Sequence, residues 1–399
     1  MPHAPPFEIF QRQHALRLVI AGIVGRLPTG MVGLALVLFV HERTSSFAAA
    51  GGITAAFGIC AGVVAPLQGR LVDRFGQFPV LFPTAILDAL LLSAIVFAGE
   101  ADASVAVLVV LAAVAGCVRP PLAASARSVW PSVLPGKSRV LESVYALEGV
   151  LVEVIFIIGP LLVAAIATFV SPATALVAAA GLSLVGTLWF ATAEPSRRWR
   201  GEQRQGLSWA GPLADRGIRV LLASGLALGL AFGMLEVGIP AFSETYGKAA
   251  TAGISFSAMA TGSMVAGLWY ATRRWEVSVA RRYGVFLGLF ALGFLPMSLA
   301  TSTPMMVLFM ALAGLALAPA VASGYALIAA TAPRGTLAEA YSWAATANTG
   351  GTALGAAAAG VLVEQLGFRS SLYTAGLLVA AAAAMAVLRR GALEPHDAK

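Results

Sequence analysis

Charge is what this sequence has least of. Asp, Glu, Lys and Arg make up 11% of the 399 residues, against about 25% in an ordinary soluble domain. A chain so poor in charge cannot clothe a water-facing surface, which excludes a soluble protein. Cysteine is equally scarce. Cys60 and Cys117 both sit inside apolar runs and read as small buried hydrophobes, so no disulfide framework is expected. The four histidines, His3, His14, His41 and His396, lie at the termini or at loop edges. No His, Cys and carboxylate group has metal-ligand spacing, and no nucleophile, base and orienting group form a recognisable set. Metal chemistry, cofactor chemistry and enzymatic catalysis are therefore not expected. Gly136-Lys137-Ser138 looks like the end of a phosphate-binding loop, but that loop needs glycine where Pro131 stands, so no nucleotide site is expected.

Apolar residues are abundant: 59% of the chain, with mean hydropathy +0.85. A membrane span needs roughly 20 mostly apolar residues. Twelve windows qualify: 15–40, 47–68, 79–98, 104–124, 140–169, 173–193, 220–242, 249–272, 283–300, 304–330, 337–363 and 370–388. The first is long enough to span and lacks a small-residue cleavage site after it, so it reads as a retained helix rather than a signal peptide. The expected fold is all-α and integral to the membrane, with about twelve transmembrane helices in two six-helix bundles. The polar stretch 194–219 falls between the sixth and seventh windows and reads as a connector. The expected divisions are 1–195, 196–217 and 218–399. Tyr145 precedes Gly159 by the spacing at which Tyr341 precedes Gly355, in windows five and eleven, as two repeated halves would have it.

The net charge of +7 follows from topology. Alternate inter-span segments collect Arg and Lys, and the other set holds only Arg43, Lys248 and Arg369. By the positive-inside rule both termini are expected in the cytoplasm, in a multi-pass protein of the cytoplasmic (inner) membrane. No nucleic-acid partner is needed to explain the basic excess.

One local pattern is specific. Gly69-Arg70-Leu71-Val72-Asp73-Arg74-Phe75-Gly76-Gln77-Phe78 joins windows two and three. It resembles the signature loop of the major facilitator superfamily, G-x-L-a-D-r-x-G-r-k. Gly69, Asp73, Arg74 and Gly76 match, and the final basic pair is replaced by Gln77-Phe78. Glycine permits a tight turn, and Asp73 can accept at a helix N-terminus or pair with an arginine. The corresponding stretch 267–274 keeps Gly267 and the basic pair Arg273-Arg274 but lacks the aspartate. Arg119 resembles the arginine of the fourth-helix motif R-x-x-q-G, here followed by Pro120-Pro121-Leu122-Ala123. Gly159-Pro160 resembles the start of the antiporter motif G-P-x-x-G-G, with Val163-Ala164 in place of its final glycines. The resemblance implies a secondary transporter, most like bacterial proton-coupled efflux permeases. It implies two halves rocking around a central site, a small-molecule substrate, protons, a surrounding bilayer and function as a monomer.

Ionisable side chains within spans each cost about 2.5–3.5 kcal/mol at a helix centre on insertion scales, so they are functional candidates. They are Arg26, Asp88, Arg119, Glu148, Glu153 and Glu236. Depth estimated at about 1.5 Å per residue puts Arg119 level with Glu148, and Arg26 level with Glu153. Two pairs are therefore expected, Arg119–Glu148 and Arg26–Glu153, either as static salt bridges or as proton-exchanging devices. Substrate-cavity candidates are Arg26, Tyr145, Glu236, Tyr325, Trp343 and Asn348. Trp189, Trp199, Trp269 and Trp275 fit the interfacial aromatic belt. Gly58 and Gly62, Gly229 and Gly233, and Gly351 and Gly355 are four residues apart, a spacing that lets helices approach closely.

Overall fold

A computed structural model describes residues 14–133, 138–200, 212–248, 250–273, 275–333 and 337–393; for 131–132, 138–147, 149 and 337–338 the backbone alone is described. The helices are α1 (Ala15–Arg26), α2 (Pro28–Thr44), α3 (Phe47–Phe75), α4 (Gln77–Glu100), α5 (Val105–Val118), α6 (Leu122–Val133), α7 (Ser138–Phe169) and α8 (Pro172–Ala191). After them come α9 (Glu194–Arg198), α10 (Arg216–Tyr246), α11 (Ala250–Thr272), α12 (Val279–Leu299), α13 (Thr303–Thr331), α14 (Leu337–Leu366), α15 (Phe368–Leu388) and α16 (Arg390–Leu393). No strand occurs among the described residues.

These helices make twelve spans. Ten are by themselves long and apolar enough to cross a bilayer. The two others are α11 and α14, whose sequences are diluted with Gly, Ser and Thr. Their composition follows from their position. They form the seam between the halves, α11 on α7 and α14 on α3, where small residues let backbones meet. A Cβ on Gly51 of α3 would collide with the Ala356 carbonyl, and one on Gly253 of α11 with that of Pro160. The glycine pairs do pack this way. Gly58 and Gly62 face Ala353 and Thr349, while Gly229 and Gly233 interleave with Gly351 and Gly355 between α10 and α14. The repeat shows in packing too: Gly159 lies on Gly30 of α2, as Gly355 lies on Leu230 of α10.

Three expectations about continuity are corrected. The first span, Ala15–Thr44, is kinked at Leu27-Pro28, where Leu27 keeps helical dihedrals and donates to Ile23 O while Pro28 has no N–H to give. The fourth breaks at Arg119-Pro120-Pro121, where two successive prolines supply no backbone donor. The expected loop 69–78 is mostly helix. α3 runs on to Phe75, so Gly69, Asp73 and Arg74 stand on its last two turns, and only Gly76, at φ +92, turns the chain. No proline or positive φ interrupts that run earlier than Gly76 except Pro66, which α3 absorbs. Elsewhere helix starts follow local chemistry: Ser46, Ser171, Asp215 and Ser278 each accept from a backbone N–H three residues on.

Among the described residues, the halves meet in the middle of the spans and at one end. With twelve spans, the first and last described helices emerge at the same end of the bundle. At the opposite end, Glu364 of α14 accepts from Ser46 Oγ at 2.7 Å and Ala48 N at 2.9 Å. There His41 of α2 pairs with Glu244 of α10 at 3.0 Å and stacks on Phe47, centroids 3.7 Å apart. Toward the terminal end the seam parts. A Cβ on Gly69 or Gly350 would meet nothing within 4 Å, and Ala345, Thr346 and Asn348 are exposed or half-buried.

Candidate functional site

Arg119 stands at a helix break and Arg26 at a proline kink. Arg26 closes α1 and Arg119 follows the last residue of α5. A helix C-terminus carries partial negative charge and unpaired carbonyls, so the break at Arg119 offers a guanidinium a favourable place within the bilayer, and the donor missing at Pro28 frees a carbonyl near Arg26. The same logic places ions at discontinuous helices in other transporters.

Arg26 is 4% exposed and Glu148 also 4%. Arg26 Nε donates to Gly22 O at 2.8 Å, Nη1 to Glu148 Oε2 at 2.5 Å and Nη2 to Oε1 at 3.4 Å. Trp130 Nε1 donates to Glu148 Oε1 at 3.5 Å. The cluster ties α1, α6 and α7 together. The expected Arg26–Glu153 pairing is therefore wrong. Helical side chains lean toward the N-terminus, and the contact with Gly22 shows this guanidinium drawn back one turn, level with Glu148.

The expected Arg119–Glu148 pair is wrong for a second reason. The Pro-Pro break turns the chain, and Arg119 lies 5.7 Å over the Phe57 ring of α3. It sits in the field of two other carboxylates, Asp88 and Glu236. Asp88, 2% exposed, takes a 2.6 Å hydrogen bond from Ser183 Oγ of α8, while its Oδ1 is buried without a partner. Glu236 reaches in from the other half: its carboxylate occupies the space a side chain at Gly33 of α2 would need. Glu153 lies on the second seam, where Ser263 Oγ of α11 donates to it at 3.4 Å.

Two arginines thus share the spans with four carboxylates, and two of those, Glu153 and Glu236, make their contacts across the halves. No group of three or more possible metal ligands occurs among the described residues. Tyr325 is half exposed, with its ring 5.7 Å from that of Tyr341, whose hydroxyl donates to Tyr325 O. Trp343 and Asn348 both stand on α14, in its first half. The backbone of Tyr145 belongs to α7, and its side chain lies outside the described residues. Gly33, Phe57, Ser183 and Ser263 escaped the sequence reading. A lone hydroxyl, ring or glycine in an apolar run carries no signal until its neighbour is known.

The profile of the Major Facilitator Superfamily matches residues 18–282 and 277–399. The chain belongs to the major facilitator superfamily. A probable transporter of Streptomyces coelicolor is 40% identical over 91 residues, 23% of this chain and 21% of that protein. The match thus spans about a fifth of the relative's length. The nucleoside transporter NupG, in a point-mutant form, superposes with TM-score 0.78 at 15% identity, covering 94% of this chain and 99% of that one. A POT family transporter in complex with a thioalcohol-conjugated peptide superposes with TM-score 0.71 at 12% identity, covering 94% and 96%. At such identities these neighbours share the fold alone. The chain is a membrane transporter of the major facilitator kind.

Proposed function

We propose that the protein moves a small organic molecule across the cytoplasmic membrane by alternating access, exchanging it for protons and so exporting it. The observation that carries this reading is the charge imbalance within the spans. Four carboxylates face two arginines, and one arginine is consumed by Glu148. Ionised carboxylates without a cation are costly in a bilayer. Asp88, Glu153 and Glu236 therefore need protons or a cationic ligand beyond what Arg119 supplies. Two of them sit where the halves touch, so a rocking motion changes their surroundings and their proton affinity together. Gly159-Pro160, the fragment resembling an antiporter motif, lies where α7 meets both α2 and α11, which supports antiport.

With the termini in the cytoplasm, as the positive-inside pattern has it, the open end faces inward. The connector and the two six-helix bundles are read as at 196–217, 1–195 and 218–399. The second reading is proton symport or facilitated uptake, favoured by the nucleoside and peptide transporters among the structural neighbours.

Proteoliposomes carrying an imposed pH gradient separate the two. A drug and metabolite sensitivity screen supplies the substrate. Antiport releases protons from the lumen as substrate enters, and symport carries both the same way. Glu153→Gln is expected to abolish proton-driven accumulation, by roughly tenfold or more, while substrate exchange continues. Uphill transport at the wild-type level in that variant would remove Glu153 from the coupling.

A further inference from the structure

The superfamily pattern at the end of α3 closes on two basic residues, and this chain has Gln77-Phe78 there. Gln77 is 0% exposed. Its Nε2 donates to Ser125 O at 3.0 Å and Ser128 Oγ at 3.1 Å, and its Oε1 accepts from Ser196 Oγ at 2.8 Å. Lysine and arginine are donors only. Either would leave Ser196, itself fully buried, without an acceptor, and would put a charge into a closed slot.

Positive charge arrives at the same place from elsewhere in the chain. α9 and the two residues after it lie across the end of the first half. Glu194 takes His14 at 3.2 Å, Arg197 sits 5.8 Å over the Phe78 ring, and Trp199 Nε1 donates to Ser128 O at 2.8 Å. Arg200 closes on Gly76, where a Cβ would meet Arg200 Nη1 at 2.7 Å and Trp199 O at 2.9 Å. That guanidinium is held by the carbonyls of Trp199 and Arg197, at 2.9 and 3.2 Å. Both arginines remain exposed.

We propose that residues 194–200 form a strap that supplies the positive charge missing from the Gly76-Gln77-Phe78 turn, with Gln77 as its positioning residue. The inference rests on the alternating-access reading. At the terminal end the second half carries Glu276, exposed just before α12, and Glu339, half-buried on the first turn of α14, among arginines that include Arg273, Arg281 and Arg282. When that end closes, the cations offered to these two carboxylates come from the connector and not from the turn itself. Gln77 sets their register by accepting from Ser196 while donating to α6. The departure from the family pattern is then a transfer of charge from one segment to another.

The test uses the full chain in nanodiscs, with nitroxide labels at Arg127→Cys and Arg281→Cys in a Cys60→Ala, Cys117→Ala background. Arg127 and Arg281 are exposed on α6 and α12, one in each half. Pulsed electron resonance should resolve a short and a long distance, closed and open. Arg197→Gln with Arg200→Gln should raise the long-to-short ratio about threefold or more, with an unchanged melting temperature. The double lysine variant should keep the original ratio. Adding Phe78→Arg to the double glutamine variant should restore it, and Ser196→Ala should shift it in the open direction. Gln77→Lys should do the same; should it fail to fold, the other four variants decide. Two distances whose ratio ignores all of these variants would overturn the strap alone. One fixed distance in every variant would overturn alternating access and the strap with it.

Discussion

The two ends of the molecule are built differently. One hydrophobic core runs through both halves at the end away from the termini, from Phe39, Phe47 and Ile53 to Phe242, Phe368 and Leu372, and continues through the second half as far as Ile218, Ala280 and Leu393. At the terminal end the first half has a core of its own, made of Leu18, Leu81, Leu122, Trp130, Leu151 and Phe190, with Phe78 and Trp199 against it. A shared core cannot separate without exposing apolar surface to water, and a private core can move as a body. The asymmetry teaches where the moving joint lies. The described contacts between the halves are made chiefly by α3 on α14 and α7 on α11, and on the alternating-access reading proposed above the opposite end is the one that moves.

The largest effect is expected in the private core. Arg26→Ala leaves Glu148 buried beside Trp130 with no cation. Breaking one partner of such a pair costs about 3–5 kcal/mol. Yield of folded protein and melting temperature in detergent should both fall sharply. Arg26→Met combined with Glu148→Leu should recover most of that loss, because an apolar pair fills the same space without stranded charge. A double variant as unstable as the single one would mean the ion pair is itself indispensable to the first half.

Gly33→Ala tests the middle of the molecule, between the ends. The added methyl must displace the Glu236 carboxylate, and with it the negative field on Arg119. The alanine improves helix propensity, so the fold should survive. Transport is expected to drop roughly tenfold or more in a proteoliposome assay, with the melting temperature nearly unchanged. Undiminished transport would show that Glu236 works equally well out of this slot.

These outcomes bear on residues the sequence made visible in uneven degree. Twelve spans were legible because each apolar window is long enough for a bilayer and ends in turn or charged residues. The family was legible from Gly69, Asp73 and Gly76, whose spacing is rigid. The candidate charges were legible singly, since Arg26 or Asp88 in an apolar run stands out. Their partners were not. Pairing depended on where a guanidinium leans, one turn back at Arg26, and on a break at Pro120-Pro121 that re-aims Arg119. Estimating depth from Cα positions ignores both. The inter-half contacts of Glu236 and Glu153 were equally hidden, because Gly33 and Ser263 resemble any other small residue in a span. The strap was invisible for a related reason. Arg197 and Arg200 read as connector charge, and only contact with Gly76 and Phe78 gives them a place.

The smallest effect is expected at the pinned end, in a histidine–carboxylate contact that crosses it. His41 and Glu244 are 3.0 Å apart, but Glu244 is 60% exposed. Exposed pairs of this kind contribute about 0.2–1 kcal/mol. His41→Gln should therefore favour opening at this end by only a few-fold, read as faster maleimide labelling of a cysteine placed beside Glu244. The Glu364 contacts to Ser46 and Ala48 remain to hold the seam, together with the apolar core beneath them. Combining His41→Gln with Glu364→Gln weakens two cross-half polar contacts while leaving that core untouched. His41 lies close enough to Glu364 to act on it electrostatically, so the two contacts are coupled, and labelling in the double variant should exceed the faster single variant without reaching the product of the single effects. A double variant that labels no faster than the faster single one would mean that the two contacts answer to different local movements. The apolar core alone would then set how readily this end opens.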